Sequence, residues 1–223
     1  MKHLITGLIL AFLLAGCNIN SSVGVTDGST HDGDLSTING SVRVGVGSRL
    51  NGNAETVNGS VRIGDQATLE DAETVNGSIS IGNDVVLQNA DAINGSISTG
   101  TGVSASGSLD TVNGKIEVGA GSVIEKGLYS VNGSIIVNGA EVGRISTVTG
   151  NITLQPNSRV NGEVLVEQNR GFGGDRDGTV EVTIGANSTV VGPLRFERDV
   201  ILRIHESATV GEIIGAEPTY FND

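Results

Sequence analysis

Apolar residues recur at six-residue steps through the middle of the chain, at Ile63, Leu69, Val75, Ile81, Leu87 and Ile93. A helix stripe would space them three and four apart, so this is not a helical pattern. Short alternations such as Val61-Arg62-Ile63 and Ile79-Ser80-Ile81 read instead as strands with one buried face. Three such steps make a longer period, marked by the phrase Thr74-Val75-Asn76-Gly77-Ser78-Ile79. Variants of that phrase place glycines at Gly40, Gly59, Gly77, Gly95, Gly114, Gly133 and Gly150, 17–19 residues apart. A fixed period in this range marks a solenoid. The pattern predicts an all-β, three-sided parallel β-helix of about nine to ten coils, right-handed in preference to left-handed. Ile63, Leu69 and Val75 are expected to point into its shaft.

The Asn-Gly pairs read as corners, because glycine has no Cβ and asparagine tolerates positive φ. Corner positions are Asn39-Gly40, Asn58-Gly59, Asn76-Gly77, Asn94-Gly95, Asn113-Gly114 and Asn132-Gly133. Stacked coils would set these asparagines in a column, and amides in such a column hydrogen-bond along the stacking axis. The same register suggests an outward column of Thr37, Thr56, Thr74, Thr111, Ser130 and Thr147, with Val or Ile turned inward beside it.

Composition fits this picture. Glycine makes up 34 of 223 residues and aromatics only 3 %, so the core must be a narrow one of Val, Ile, Leu and Ala. One coil buries too little to offset its own ordering entropy, which makes the array the folding unit.

The first residues belong to a different object. Lys2 and His3 precede an apolar run from Leu4 to Leu14, too short to span a bilayer and suited to a signal peptide. The run ends in Leu14-Ala15-Gly16-Cys17, which resembles the lipobox of bacterial lipoproteins. The resemblance implies cleavage after residue 16 and acylation of Cys17, the only cysteine in the chain. Residue Asn18 stands where Asp would favour inner-membrane retention, which directs the expectation to the outer membrane. Residues 17–34 are polar and without hydrophobic periodicity, and are expected to be a flexible lipidated tether. The β-helix is expected over 35–215, regular over 35–151 and divergent over 152–215.

In the divergent part, Ala186-Asn187-Ser188-Thr189-Val190-Val191-Gly192 and Glu206-Ser207-Ala208-Thr209-Val210-Gly211 echo one another 20 residues apart. This region, about 150–215, resembles the bactofilins, polymer-forming β-helix proteins. The Asn-Gly-Ser repeats are similar to adhesin-like β-solenoid domains of bacterial surface proteins. These resemblances imply the fold and a tendency to self-associate. One insertion, 167–178, interrupts the repeats, and its Arg170, Phe172, Asp175, Arg176 and Asp177 form a candidate interaction loop. Asp175 and Asp177 echo a calcium loop, but its remaining ligands are missing, so no metal is assigned. Residues 216–223 are expected to be a tail or cap, since Pro218 cannot donate to a further strand.

Catalytic constellations are hard to find. Patterns such as Val118-Gly119-Ala120-Gly121-Ser122 resemble hexapeptide-repeat acyltransferases, yet past the leader only His31 and His205 are present. The net charge of −12 becomes −13 once Lys2 leaves with the leader, which disfavours nucleic acid. No cofactor or small-molecule substrate is indicated. The sequence therefore leads to a non-enzymatic, lipid-anchored cell-envelope protein with a structural, self-assembling or adhesive role. Its partners would be the membrane through Cys17, further copies, or envelope proteins and polymers. The first alternative is ice binding through the Thr-x-Asn array, and the second is a relative of the hexapeptide acyltransferases.

Overall fold

The structure, a computed structural model, describes residues 20–168 and 178–222. The expected signal peptide, Cys17 and the loop residues Arg170, Phe172, Asp175, Arg176 and Asp177 lie outside the described residues.

The chain winds as a parallel β-solenoid of about ten coils. One coil shows the path. Ile79–Ile81 lies on one face, a turn at Asn83-Asp84 leads to Val86–Leu87 on a second, and Asn89–Asn94 runs along a third. The Asn94-Gly95 corner then returns the chain to the first face at Ile97. Sheet 1 stacks ten strands, from Leu35–Thr37 through Asp71–Asn76 and Asn89–Asn94 to Ile213–Ile214. Sheet 2 stacks eleven, from Val23–Val25 to Pro218–Phe221. Sheet 3 stacks seven short strands from Val86–Leu87 to Thr209–Val210. Bridges through Thr68 tie it to the earlier pair Thr30–Asp32 and Arg49–Asn51.

Three expectations need correcting. First, residues 17–34 are not all tether. Val23–Val25 pairs in parallel with Val42–Val44, and Thr30–Asp32 pairs with Arg49–Asn51. The acidic residues that suggested a solvated linker are inter-coil acceptors. Asp27 Oδ1 accepts from the Val46 N–H at 2.9 Å and Asp34 Oδ1 from the Asn53 N–H at 2.8 Å.

Second, the threonine column faces inward. Thr74 is 2 % exposed, whereas Val75 is only half-buried on the outer side, as are Ile38, Val57, Ile93, Val112 and Val131. Ile63, Leu69, Ile81 and Leu87 do line the shaft, but Val75 and Ile93 do not. The cause is a hydrogen bond that valine cannot make. The hydroxyls of Thr56, Thr74 and Thr111 donate to the carbonyls of Gly40, Gly59 and Gly95 at 2.8–3.0 Å. A buried hydroxyl with such a partner is tolerated.

Third, the corner glycines are not required for positive φ. In the regular coils that conformation recurs at the turn between sheets 2 and 3, where Gln66 and Asp84 adopt it at 60° and 55°. At the Asn-Gly corner the constraint is contact. A Cβ on Gly95 would fall 1.7 Å from the Gly77 carbonyl oxygen, and one on Gly77 would fall 1.8 Å from that of Gly59.

The last strand, Pro218–Phe221, pairs with Leu202–His205 and closes the end of sheet 2. The Phe221 ring meets His205 edge-on at 5.2 Å and lies under the Arg203 guanidinium.

Candidate functional site

The outer surface of sheet 1 carries two stacked columns of polar side chains. The first is the predicted asparagine column, drawn into one ladder. Asn58 Nδ2 donates to Asn39 Oδ1, Asn76 to Asn58, Asn94 to Asn76, Asn113 to Asn94 and Asn132 to Asn113, all at 2.9–3.0 Å. Asn20 adds a rung below, accepting from Asn39 at 2.9 Å, and the Thr149 hydroxyl caps Asn132 at 2.7 Å. An amide both donates and accepts, so identical groups can stack without limit.

The second column was not anticipated. Glu55, Glu73, Asp91 and Asp110 occupy the same register on four successive strands. Each directly precedes the Thr or Ala of the repeated phrase, the positional signal that identifies the column. Successive strands lie about 4.8 Å apart, so like charges stack at close range. Asp34 and Asp71 add charge beside them. Ser36 Oγ donates to Glu55 at 3.2 Å, and Ser108 Oγ donates to Asp110 Oδ2 at 2.9 Å. The other oxygen of Asp110, Oδ1, is buried with no hydrogen-bond partner, while the Asp91 carboxyl lies within bonding reach.

Burial and repulsion act together on these groups. Desolvation, helped by Glu55 and Asp71, pushes the Glu73 carboxyl up to about 7. Desolvation also raises Asp91, with the charge of Asp110 next in importance. Asp110 is raised by its burial and partly held back by Ser108 and Lys126. Glu55 is raised by its partial burial.

Beyond Asp110 the column changes character. Tyr129 follows, with the Arg144 guanidinium 5.9 Å from its ring centre. Ser146, Leu165 and Arg195 continue the register, and beside it Glu163 binds two cations, Arg144 at 3.1 Å and Arg195 at 2.9 Å.

Paired carboxyls of unequal acidity can perform acid–base chemistry when a substrate sits between them. Two open pockets lie elsewhere, one of about 330 Å³ lined by Gln168, Gly178, Thr179, Glu197, Arg198 and Asp199, another of about 500 Å³ around Ser22–Asp27. Among the described residues no three His, Cys, Asp or Glu side chains gather as a metal site. His31 lies in the first coil, while His205 near the far end holds Ser207 and Phe221. The Thr-x-Asn array is absent as a surface, because its threonines are buried. No protein-family model, curated protein or solved structure matches the chain.

Proposed function

We propose that the protein is a non-catalytic scaffold of the bacterial cell envelope, anchored through acylated Cys17 in the outer membrane and presenting its solenoid as a rigid rod. The observation that carries this reading is the continuity of inter-coil bonding, from the Asn39–Asn20 rung to the strand that ends at Phe221. Polar side chains that an enzyme would aim at a substrate are spent here on the neighbouring coil.

The start of that continuity supports the anchor. Only residues Asn18 and Ile19 separate Cys17 from Asn20, the first rung. At about 3.3–3.6 Å per extended residue, the first coil lies within roughly 11 Å of the acylated cysteine. Ten coils at about 4.8 Å each then give a rod on the order of 50 Å, rising directly from the bilayer. Its partners would be further copies or envelope polymers meeting the sides or free end.

Metabolic labelling with palmitate, followed by membrane fractionation, tests the anchor. Labelled protein in the outer membrane is expected, with loss of label and release from the membrane for Cys17→Ser. Unlabelled wild type would overturn the reading. Electron microscopy of the Cys17→Ser protein separates single rods from end-to-end filaments.

A further inference from the structure

Asp91 and Asp110 are register partners on adjacent parallel strands, and both are raised by burial. Asp110 Oδ2 is already committed to the Ser108 hydroxyl, and Oδ1 is enclosed without any donor. A buried oxygen in that condition costs free energy comparable to a lost hydrogen bond. Among the described residues the group within hydrogen-bonding reach of Asp110 besides Ser108 is another acid, Asp91. We propose that Asp91 and Asp110 share one proton, held by Asp91 and donated to Asp110, and that this bond is a pH-sensitive latch between two coils of the rod.

The surroundings favour that arrangement. Asp71 and Glu73 face the pair from the strand before, with Glu55 one strand further. On the following strand stands Tyr129, with Arg144 beyond it. Asn89 and Ser108 lie alongside on the same two strands, and Lys126 lowers Asp110. Asp91 therefore meets acids, and Asp110 meets the nearest cation and hydroxyl. This asymmetry puts the proton on Asp91 and the charge on Asp110. Two close carboxyls cannot both ionise without repulsion, and sharing a proton removes it.

The sign of the pH dependence follows. A carboxyl raised in the folded state binds its proton more tightly there than in the unfolded chain. Its stabilising contribution is complete below the unfolded value near 4, and is lost as pH rises through the higher folded value. Within that window each retained proton raises the unfolding constant about tenfold per pH unit. The rod is tightened in mild acid and loosened toward alkaline pH.

Urea unfolding of the full chain between pH 5 and 9, with carboxyl NMR of the same protein, tests the latch. Wild type is expected to show Asp91 titrating above neutrality and above Asp110. Asp91→Asn keeps a donor toward Asp110 but carries no titrating proton. It should match wild type in acid and flatten the pH dependence of log unfolding constant by about one proton. Asp91→Ala supplies no donor and should be less stable than Asp91→Asn throughout. If both aspartates of wild type titrate in the ordinary range near 4, or Asp91→Asn leaves the slope unchanged, the latch does not exist. Equal stability of the Asn and Ala variants would overturn the hydrogen bond itself.

Discussion

Sheet 1 solves the same problem in two ways along its length. Over residues 54–113 its outer surface stacks identical groups, asparagine on asparagine and carboxyl on carboxyl. Over 144–195 it uses opposite charges, with Glu163 bound between Arg144 and Arg195. The backbone geometry is common to both halves, so the contrast isolates side-chain chemistry. Stacking identical groups works for an amide, which complements itself. It works for a carboxyl only when protons are taken up. A strict repeat thus commits the first half to whatever its repeated group can do with a copy of itself, while the divergent half can choose partners.

The largest effect should come from breaking the repeated corner. Gly95→Ala is expected to cost about 3 kcal/mol or more, since its Cβ would meet backbone at 1.7 Å. Gly162→Ala in the divergent half, where the nearest atom is 2.8 Å away, should cost about 1 kcal/mol. Urea midpoints of the two variants provide the test. Equal costs would mean that the regular half is no more tightly stacked than the other.

That corner also shows where the sequence was sufficient and where it was not. Its period and its asparagine column were legible, because a repeat displays every stacked partner at once. The reason for its glycine was not, since the colliding carbonyl comes from another coil and is invisible to a local reading of φ. The phase of sheet 1 was misjudged for a different reason. Six-residue spacing favoured Val75 inside, although charged Glu73 two residues earlier demands the outside and carries Val75 with it. Alternation overrides hydrophobicity once Thr74 finds the Gly59 carbonyl. The carboxyl column was legible in register but not in consequence. Nothing along the chain reveals that Asp110 Oδ1 is enclosed.

A smaller effect should separate a bonded hydroxyl from an idle one. Thr74→Val removes the bond to Gly59 and should cost about 1 kcal/mol. At the equivalent place Ser130 Oγ is buried without a partner. Ser130→Ala is therefore expected to be neutral or slightly stabilising in thermal unfolding. The smallest loss of stability is expected at the ion triad, whose members keep partial exposure. Glu163→Gln should cost about 0.5–1 kcal/mol, an effect that fades as salt is added.

The asparagine ladder has a direction. From Asn39 to Asn132 each amide gives an N–H to the coil before, and from Asn20 to Asn113 each takes one from the coil after, so seven amide dipoles point the same way. Aligned dipoles add, as they do along a helix axis. One edge of the rod is thus electrically vectorial, its positive end toward the first coil and its negative end closed by a threonine hydroxyl.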